Sequence, residues 1–401
     1  MTTSASASIG GNASLSCLRG SKQSTRLHSL DVFRGIAIAS MILVNNPGSW
    51  DYVYPPLLHA PWHGFTPTDL VFPAFLFIAG AAMAFAFAKY TKNDQFTTKA
   101  YWHLGRRVAI LFALGLLLNG SSIVLDWLLK GSPFSELANI RIMGVLQRIS
   151  LAYLLAALAV IKISRPRLWI LAAAILLGYW AAMSWVPIPG YGIGNLTPEG
   201  NLVAYIDRLL LGTNHIYQQG QFDPEGLFST LPAVVTVLIG YWAGEWLRTQ
   251  PIQWRASLGL TLFGLGCLGF GWVWGLLFPI NKQLWTSSYV VFTAGWSLLL
   301  LAACYHLIEV MKFRRWRLPL EIMGLNAIFV FVVSGLVVRI LYRIEVGNHQ
   351  PAVNLYGWIY QNLFESWAGS MNGSLAFAIV NVLFWWIILY RMYRQHWLIR
   401  I

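Results

Sequence analysis

His59, His63 and Asp69 lie close together in LLHAPWHGFTPTDLVFP, Leu57 to Pro73, in a chain of 401 residues of which only 11% are charged. Ionisable groups this scarce are informative where they cluster. An imidazole, with an ordinary pKa near ~6.5, can take a proton at neutral pH, and a carboxylate on its other nitrogen can fix the tautomer and orient the ring. His59 with Asp69 has the parts of a general base. Each also has a plainer reading. A histidine in an interfacial loop is often only hydrogen-bonded or solvated, and TPTD ahead of an apolar run is a helix amino-terminal cap with Pro67 in the first turn. His63 has no evident second partner in the sequence. A zinc pair of His59 and His63 would need more ligands than the segment supplies, so no metal is expected. Asn45, at the end of the apolar run IAIASMILV, is placed either to donate to a carbonyl oxygen or oxyanion or simply to satisfy a helix end.

Other polar residues recur where apolar ones are expected. Gln147 and Arg148 sit inside a span in GVLQRISLAY, where an arginine costs about 2.5 to 3.5 kcal/mol on insertion scales. A partner or an anionic ligand is expected there, unless the arginine snorkels to water. Asp223 and Glu225, in QFDPEGLFST, precede the next span and either cap it or meet a cationic substrate. Asp31 and Arg34, three apart in LDVFRG, read as a local ion pair.

The elements that must position these groups are membrane helices. With 57% hydrophobic residues and a mean hydropathy of +0.57, the apolar content exceeds what a soluble surface can cover. The expected fold is an all-α polytopic integral membrane protein with about ten transmembrane helices. They fall near residues 31–46, 68–89, 107–128, 142–161, 168–186, 227–247, 256–277, 287–311, 318–340 and 373–391. The net charge of +13 collects in alternate loops, such as Lys89 to Arg107, Lys162 to Arg167 and Lys312 to Arg317. By the positive-inside rule both termini face the cytoplasm and the His59 segment faces outward, across the cytoplasmic (inner) membrane. That pattern accounts for the charge without nucleic acid.

Residues 1–29, rich in Ser, Ala and Gly, read as a disordered cytoplasmic tail, and 30–401 as one transmembrane domain. The tail is not expected to be a cleaved signal peptide. The long loop from Pro187 to Gly226 contains a short amphipathic piece, LVAYIDRLLLG, and loops of this length are usually functional. Cys17, Cys267 and Cys304 are too scattered for a disulfide framework.

The segments RLHSLDVFRGIAIASMILVNN, LLHAPWHGFTPTDLVFP, GVLQRISLAYLLA, FDPEGLFST, PINKQLWTSSY and GLNAIFVF, collinear from Arg26 onward, together resemble the heparan-alpha-glucosaminide N-acetyltransferase family of transmembrane acyltransferases. The resemblance implies a membrane enzyme that takes acetyl from cytosolic acetyl-CoA and delivers it to a sugar amine on the far side. By position the family's active-site histidine falls on His59, its asparagine near the reaction centre on Asn45, and its helix-start aspartate on Asp69. The animal lysosomal members carry an amino-terminal lumenal domain and an extra span that are not expected in this protein. Their substrate and any dimer built on that domain are therefore not expected to carry over unchanged.

On this reading His59 removes the proton from the attacking amine or hydroxyl and Asn45 stabilises the oxyanion, by direct transfer or through an acetyl-histidine intermediate. The adenosine phosphates favour a basic inner mouth, for which Arg34, Arg106 and Arg107 are candidates, with Arg148 and Gln147 further along the path of the cofactor. Asp223, Glu225 and Asn281 are candidates for the acceptor. The implied partners are acetyl-CoA, an amino-sugar or glycan acceptor, membrane lipid and, as an open oligomeric form, a homodimer. The rival classes are a multi-pass transporter of a sugar or lipid-linked intermediate and a structural membrane protein. CoA release on adding an amino sugar separates the enzyme from both.

Overall fold

The computed structural model describes residues 27–92, 95–217, 220–347 and 353–399. The long apolar runs form helices: α1 (His28–Asn45), α2 (Val71–Tyr90), α3 (Thr98–Lys130), α4 (Val145–Lys162) and α5 (Arg165–Trp185). After the amphipathic α6 (Leu202–Leu211) come α7 (Thr230–Thr249), α8 (Trp254–Gly275), α9 (Ser287–Tyr305), α10 (Arg317–Leu325) and α11 (Ala327–Leu341). The short α12 (Leu355–Tyr360) and α13 (Ser366–Ala368) lead into α14 (Ser370–Arg394). Short 3-10 and π-helical turns and two two-stranded antiparallel sheets make up the rest of the described secondary structure.

Eight of the described helices are long and apolar enough to cross a membrane, or nine if the pair α10 and α11 is one span. The expected ten helical segments are present, but two differ from simple spans. The first, α1, is only 18 residues long and carries His28, Asp31 and Arg34, which lower its hydropathy. The ninth is broken by 73° between α10 and α11, at Asn326, whose side chain binds Trp397 O and Ile399 N of the carboxy-terminal segment and so replaces helical hydrogen bonds with tertiary ones. Most of the expected tail, residues 1–26, lies outside the described residues. Its expected boundary moves inward, because His28 already opens α1 and Ser29 N–H donates to Glu309 Oε1 at 3.1 Å.

The core is built by close helix contact. Gly80 on α2 and Gly240 on α7 face each other's backbones so tightly that a Cβ at either would run into the Val237 or Phe77 carbonyl. Small residues allow this approach, which is the usual driving geometry where lipid offers no hydrophobic gain. Around the α2–α7 pair pack α1, α4 and α9, and Leu76, Phe77, Val237, Leu238, Val290 and Leu298 are fully buried there. The connections that precede α2, α4, α7 and α9 lie together on one side and bond to each other. Gly64 N–H donates to Ile280 O, Trp62 Nε1 to Leu196 O, and Ile142 N–H to His215 O. This roof of loops carries the polar cluster.

Candidate active site

Asp69 sits in a short 3-10 turn, Pro67–Leu70, that opens directly into α2. The TPTD signature does form a capping box, with Thr66 and Asp69 satisfying each other's backbone. The carboxylate serves two purposes at once. Oδ2 accepts from Thr66 N–H at 3.0 Å, the Thr66 hydroxyl at 3.1 Å and Ala60 N–H at 3.1 Å. Oδ1 meets His59 Nδ1 at 2.7 Å. Tyr289, buried on α9, pins the same residue from below by donating its hydroxyl to Asp69 O at 2.6 Å. The capping and orienting readings of Asp69 are thus both realised, by different oxygens of one buried carboxylate.

The protonation of His59 follows from donor inventory. An ionised carboxylate only accepts, so Nδ1 carries the proton and Nε2 of the neutral ring holds the free lone pair. The ring is 38% exposed while Asp69 is 1% exposed, so the base faces solvent and its orienting partner does not. His63 has the partner that the sequence did not reveal, Asn281 Nδ2 at 3.2 Å from its Nδ1. Burial lowers the His63 pKa, which favours the neutral ring. The two histidines therefore serve different neighbours instead of converging on one centre.

Asn281 organises the second half of the site. Its Oδ1 accepts from Leu284 N–H at 2.8 Å and its own N–H donates to Thr286 Oγ1 at 3.1 Å, closing a tight turn ahead of α9. In that turn Trp285 takes a φ of +51°, a left-handed conformation that costs a bulky residue about 1–3 kcal/mol. Packing holds it there, since the indole is 1% exposed, packs edge-on to Phe72 and Tyr289, and lies under the Arg148 guanidinium. The turn aims Lys282 at His59. Its Nζ lies 3.0 Å from Nε2 and 3.1 Å from Nδ1, and 4.0 Å from Asp69 Oδ1. Nearly equidistant from both ring nitrogens, the ammonium lies over the ring face and leaves the in-plane Nε2 lone pair clear. Lys282 was not singled out as a site residue by sequence; only its place in PINKQLWTSSY pointed to it.

The remaining candidates divide into separate groups. Asp223 is fully buried, and Arg141 clamps it through Nε at 2.9 Å and Nη2 at 2.6 Å while also reaching Glu225 at 2.6 Å. Burial disfavours the Arg141 charge, but the two carboxylates outweigh it and raise its pKa. Asp223 is thus occupied in holding the loop, and neither acid caps the next helix. Asp207 on α6 holds the approach to that helix, its Oδ1 accepting from Leu227 and Phe228 N–H. Arg148 is likewise fully buried, donating through Nη2 to Gly226 O at 3.1 Å and to Ser229 Oγ, which ties the roof to α4, while its Nε and Nη1 have no hydrogen-bond partner among the described residues. Gln147, 1% exposed, packs against Gly115 of α3.

Arg34, Arg106 and Arg107 belong to other parts of the molecule. Arg34 pairs with Asp31 at 3.3 Å, Arg107 lies over the Tyr153 ring and donates to its hydroxyl, and Arg106 is exposed. Asn45 ends α1, exposed, with no hydrogen bond to the His59 group among the described residues; it is Asn46 that satisfies the helix end, donating to Ile42 O at 2.8 Å. Beneath the His59 loop an apolar cleft of about 150 Å³ runs between α1 and α2, from Phe33, Ala37 and Ser40 to Leu57 and Thr68. Phe33 to Val44 line it along roughly 16 Å of α1 at ~1.5 Å per residue.

The geometry is that of an oriented imidazole base beside an ammonium, above an apolar cleft. The family described as "Heparan-alpha-glucosaminide N-acetyltransferase, catalytic" matches residues 26–267. The chain is 29% identical to the heparan-alpha-glucosaminide N-acetyltransferase of Homo sapiens over 360 residues, covering 77% of this chain and 52% of that protein. It is 30% identical to the protein of that name from Mus musculus over 362 residues, covering 77% and 53%. It spans about half the length of these curated relatives.

Proposed function

Since this chain belongs to the heparan-alpha-glucosaminide N-acetyltransferase family, we propose that it is a transmembrane N-acetyltransferase that moves acetyl from cytosolic acetyl-CoA to an amino sugar with a glucosamine-type terminus on the outer side. One observation carries the mechanism: His59 is held through Nδ1 by a buried carboxylate while its ring stays 38% exposed. In that arrangement Nε2 takes the proton of the attacking amine, and Asp69 steadies the imidazolium that forms. Asn45, at the same end of α1, donates to the carbonyl oxygen.

Acetyl-CoA is highly charged and cytosolic, so its thioester must reach the outer side without the nucleotide crossing. The cleft between α1 and α2 suits an acetyl-pantetheine arm in its apolar lining, and it ends under the His59 loop at Leu57 and Thr68. Arg34, Arg106 and Arg107 take the adenosine phosphates at the inner mouth. Glu225 and Asn281, in the roof, border the place where the acceptor enters, and Asp223 acts there through Arg141. Both termini face the cytoplasm in this orientation, since the basic turns at Lys162 to Arg167 and Lys312 to Arg317 lie opposite the roof.

The test is turnover in purified protein. With acetyl-CoA in detergent, free CoA should appear only when glucosamine is added, and His59→Ala should slow it by roughly 10²- to 10⁴-fold while the protein stays folded. Near-normal turnover in that variant would remove His59 from the chemistry. Uptake of sugar into sealed vesicles without any CoA release would replace the enzyme by a transporter.

A further inference from the structure

Lys282 is the one strong contact of the His59 ring that this mechanism leaves unused. Its side chain is 15% exposed, yet it is held against an imidazole by a turn that adopts strained backbone at Trp285 and spends an asparagine side chain on closing it. A lysine needed only to balance Asp69 would sit closer to a carboxylate oxygen than 4.0 Å. At 3.0 Å from Nε2 and 3.1 Å from Nδ1, the ammonium lies against the ring face, next to the in-plane Nε2 lone pair and not in line with it. It is also within reach of any carbonyl that the nucleophile attacks there.

We propose that Lys282 is a second catalytic residue of this site, whose ammonium binds the thioester carbonyl oxygen and stabilises the oxyanion formed when His59 deprotonates the acceptor. This rests on the acetyltransferase reading above. When acetyl donor and acceptor enter, the lysine turns from the ring face to the carbonyl oxygen, and the in-plane Nε2 lone pair stays available as the base. The amine nitrogen forms the new C–N bond, the C=O π pair moves onto oxygen beside the Lys282 ammonium, and the amine proton passes to Nε2. The oxygen lone pair then re-forms the C=O bond, the C–S bond breaks, and the bonding pair leaves on CoA sulfur. The proton on Nε2 neutralises that thiolate. No oxidant or further reactant is needed. In this reading Lys282 is the charged donor to the developing charge and Asn45 the neutral one.

Four groups face Lys282: His59 from the loop, Asp69 from the start of α2, Glu225 from the roof and Arg148 from α4. Burial, with Arg148, pulls its pKa below the ordinary lysine value, against the raising influence of Glu225 and Asp69. The ammonium is the active form, so the rate should fall at alkaline pH as this proton is lost, earlier than for an exposed lysine.

The experiment measures CoA release from acetyl-CoA with glucosamine, for wild type, Lys282→Met, Lys282→Arg, Lys282→Cys and His59→Ala. Lys282→Met should lower kcat by about 10²- to 10³-fold with the KM for acetyl-CoA changed less than about threefold. Treating Lys282→Cys with bromoethylamine rebuilds an ammonium of nearly the same reach, and should restore at least tenfold of the lost rate, with identically treated wild type as control. Lys282→Arg should retain part of the rate and move the alkaline limb upward. Lys282→Met within threefold of wild type, or no gain on aminoethylation of a well-folded Lys282→Cys, overturns the proposal while a slow His59→Ala leaves the base in place. A normal His59→Ala instead overturns the base reading itself, and wild type that releases no CoA overturns both.

Discussion

Replacing Asp69 by Asn separates the two duties of that carboxylate. The amide oxygen can take over the Oδ2 position and keep accepting from Thr66 N–H, the Thr66 hydroxyl and Ala60 N–H, so the cap survives. The amide nitrogen then faces His59 Nδ1 across the former 2.7 Å contact, and it can only donate. It therefore selects the tautomer protonated at Nε2, which has no lone pair left for the acceptor proton. Loss of the base in this way should lower kcat roughly 10²- to 10⁴-fold, or ~3 to 5 kcal/mol at ~1.36 kcal/mol per tenfold. Stability should change by only about 1–2 kcal/mol, the difference between a charge-assisted and a neutral hydrogen bond. Asp69→Ala should lose the same activity but also leave Ala60 and Thr66 N–H groups without partners, at about 1–3 kcal/mol each. CoA release and thermal unfolding in detergent, measured on one preparation of each variant, read the two effects apart. Asp69→Asn that turns over within threefold of wild type would refute the argument, because the tautomer would then not matter.

Three further outcomes are expected. Burial, against the N–H donors of Phe228 and Leu227, pushes the Asp207 carboxyl up to about 6 from 3.8, so the folded protein binds this proton more tightly than the unfolded chain. The associated stability is fully present below pH ~4 and is lost as pH rises through about 6, a change of roughly 3 kcal/mol at most; melting of Asp207→Asn should lack that slope, and parallel curves for the two proteins would dispose of the idea. Ser40→Phe, which fills the cleft between α1 and α2, should raise the KM for acetyl-CoA at least tenfold with the glucosamine KM unchanged; the opposite split would place the cleft on the acceptor side. In cells carrying the variants in a Cys17→Ser background, Asp51→Cys should react with an impermeant thiol reagent and Lys99→Cys should not, and the reverse labelling would invert the proposed orientation.

Much of this molecule was legible along the chain. Long apolar runs broken by basic turns specify membrane helices whatever their neighbours, because hydrogen-bonding the backbone in lipid leaves few alternatives, and α2 to α5 and α7 to α9 formed where the runs are. The capping box at Thr66 and Asp69 is local chemistry within four residues, and the His59–Asp69 pair is close enough in sequence for one loop to close it. What hydropathy alone missed was decided by tertiary contact. The break at Asn326 exists because a segment some seventy residues later offers it partners. Arg148 reads in sequence only as a buried charge wanting partners, and it is the folded roof that supplies Gly226, Ser229 and the Trp285 ring. Lys282 reaches His59 across 223 residues of chain, and a spacing that long carries no periodicity to read. Local rules fix which segments are helices and which are capped; which charges meet is set only when loops from opposite halves of the chain pack together, since a buried charge takes whatever partner the packing brings within about 3 Å.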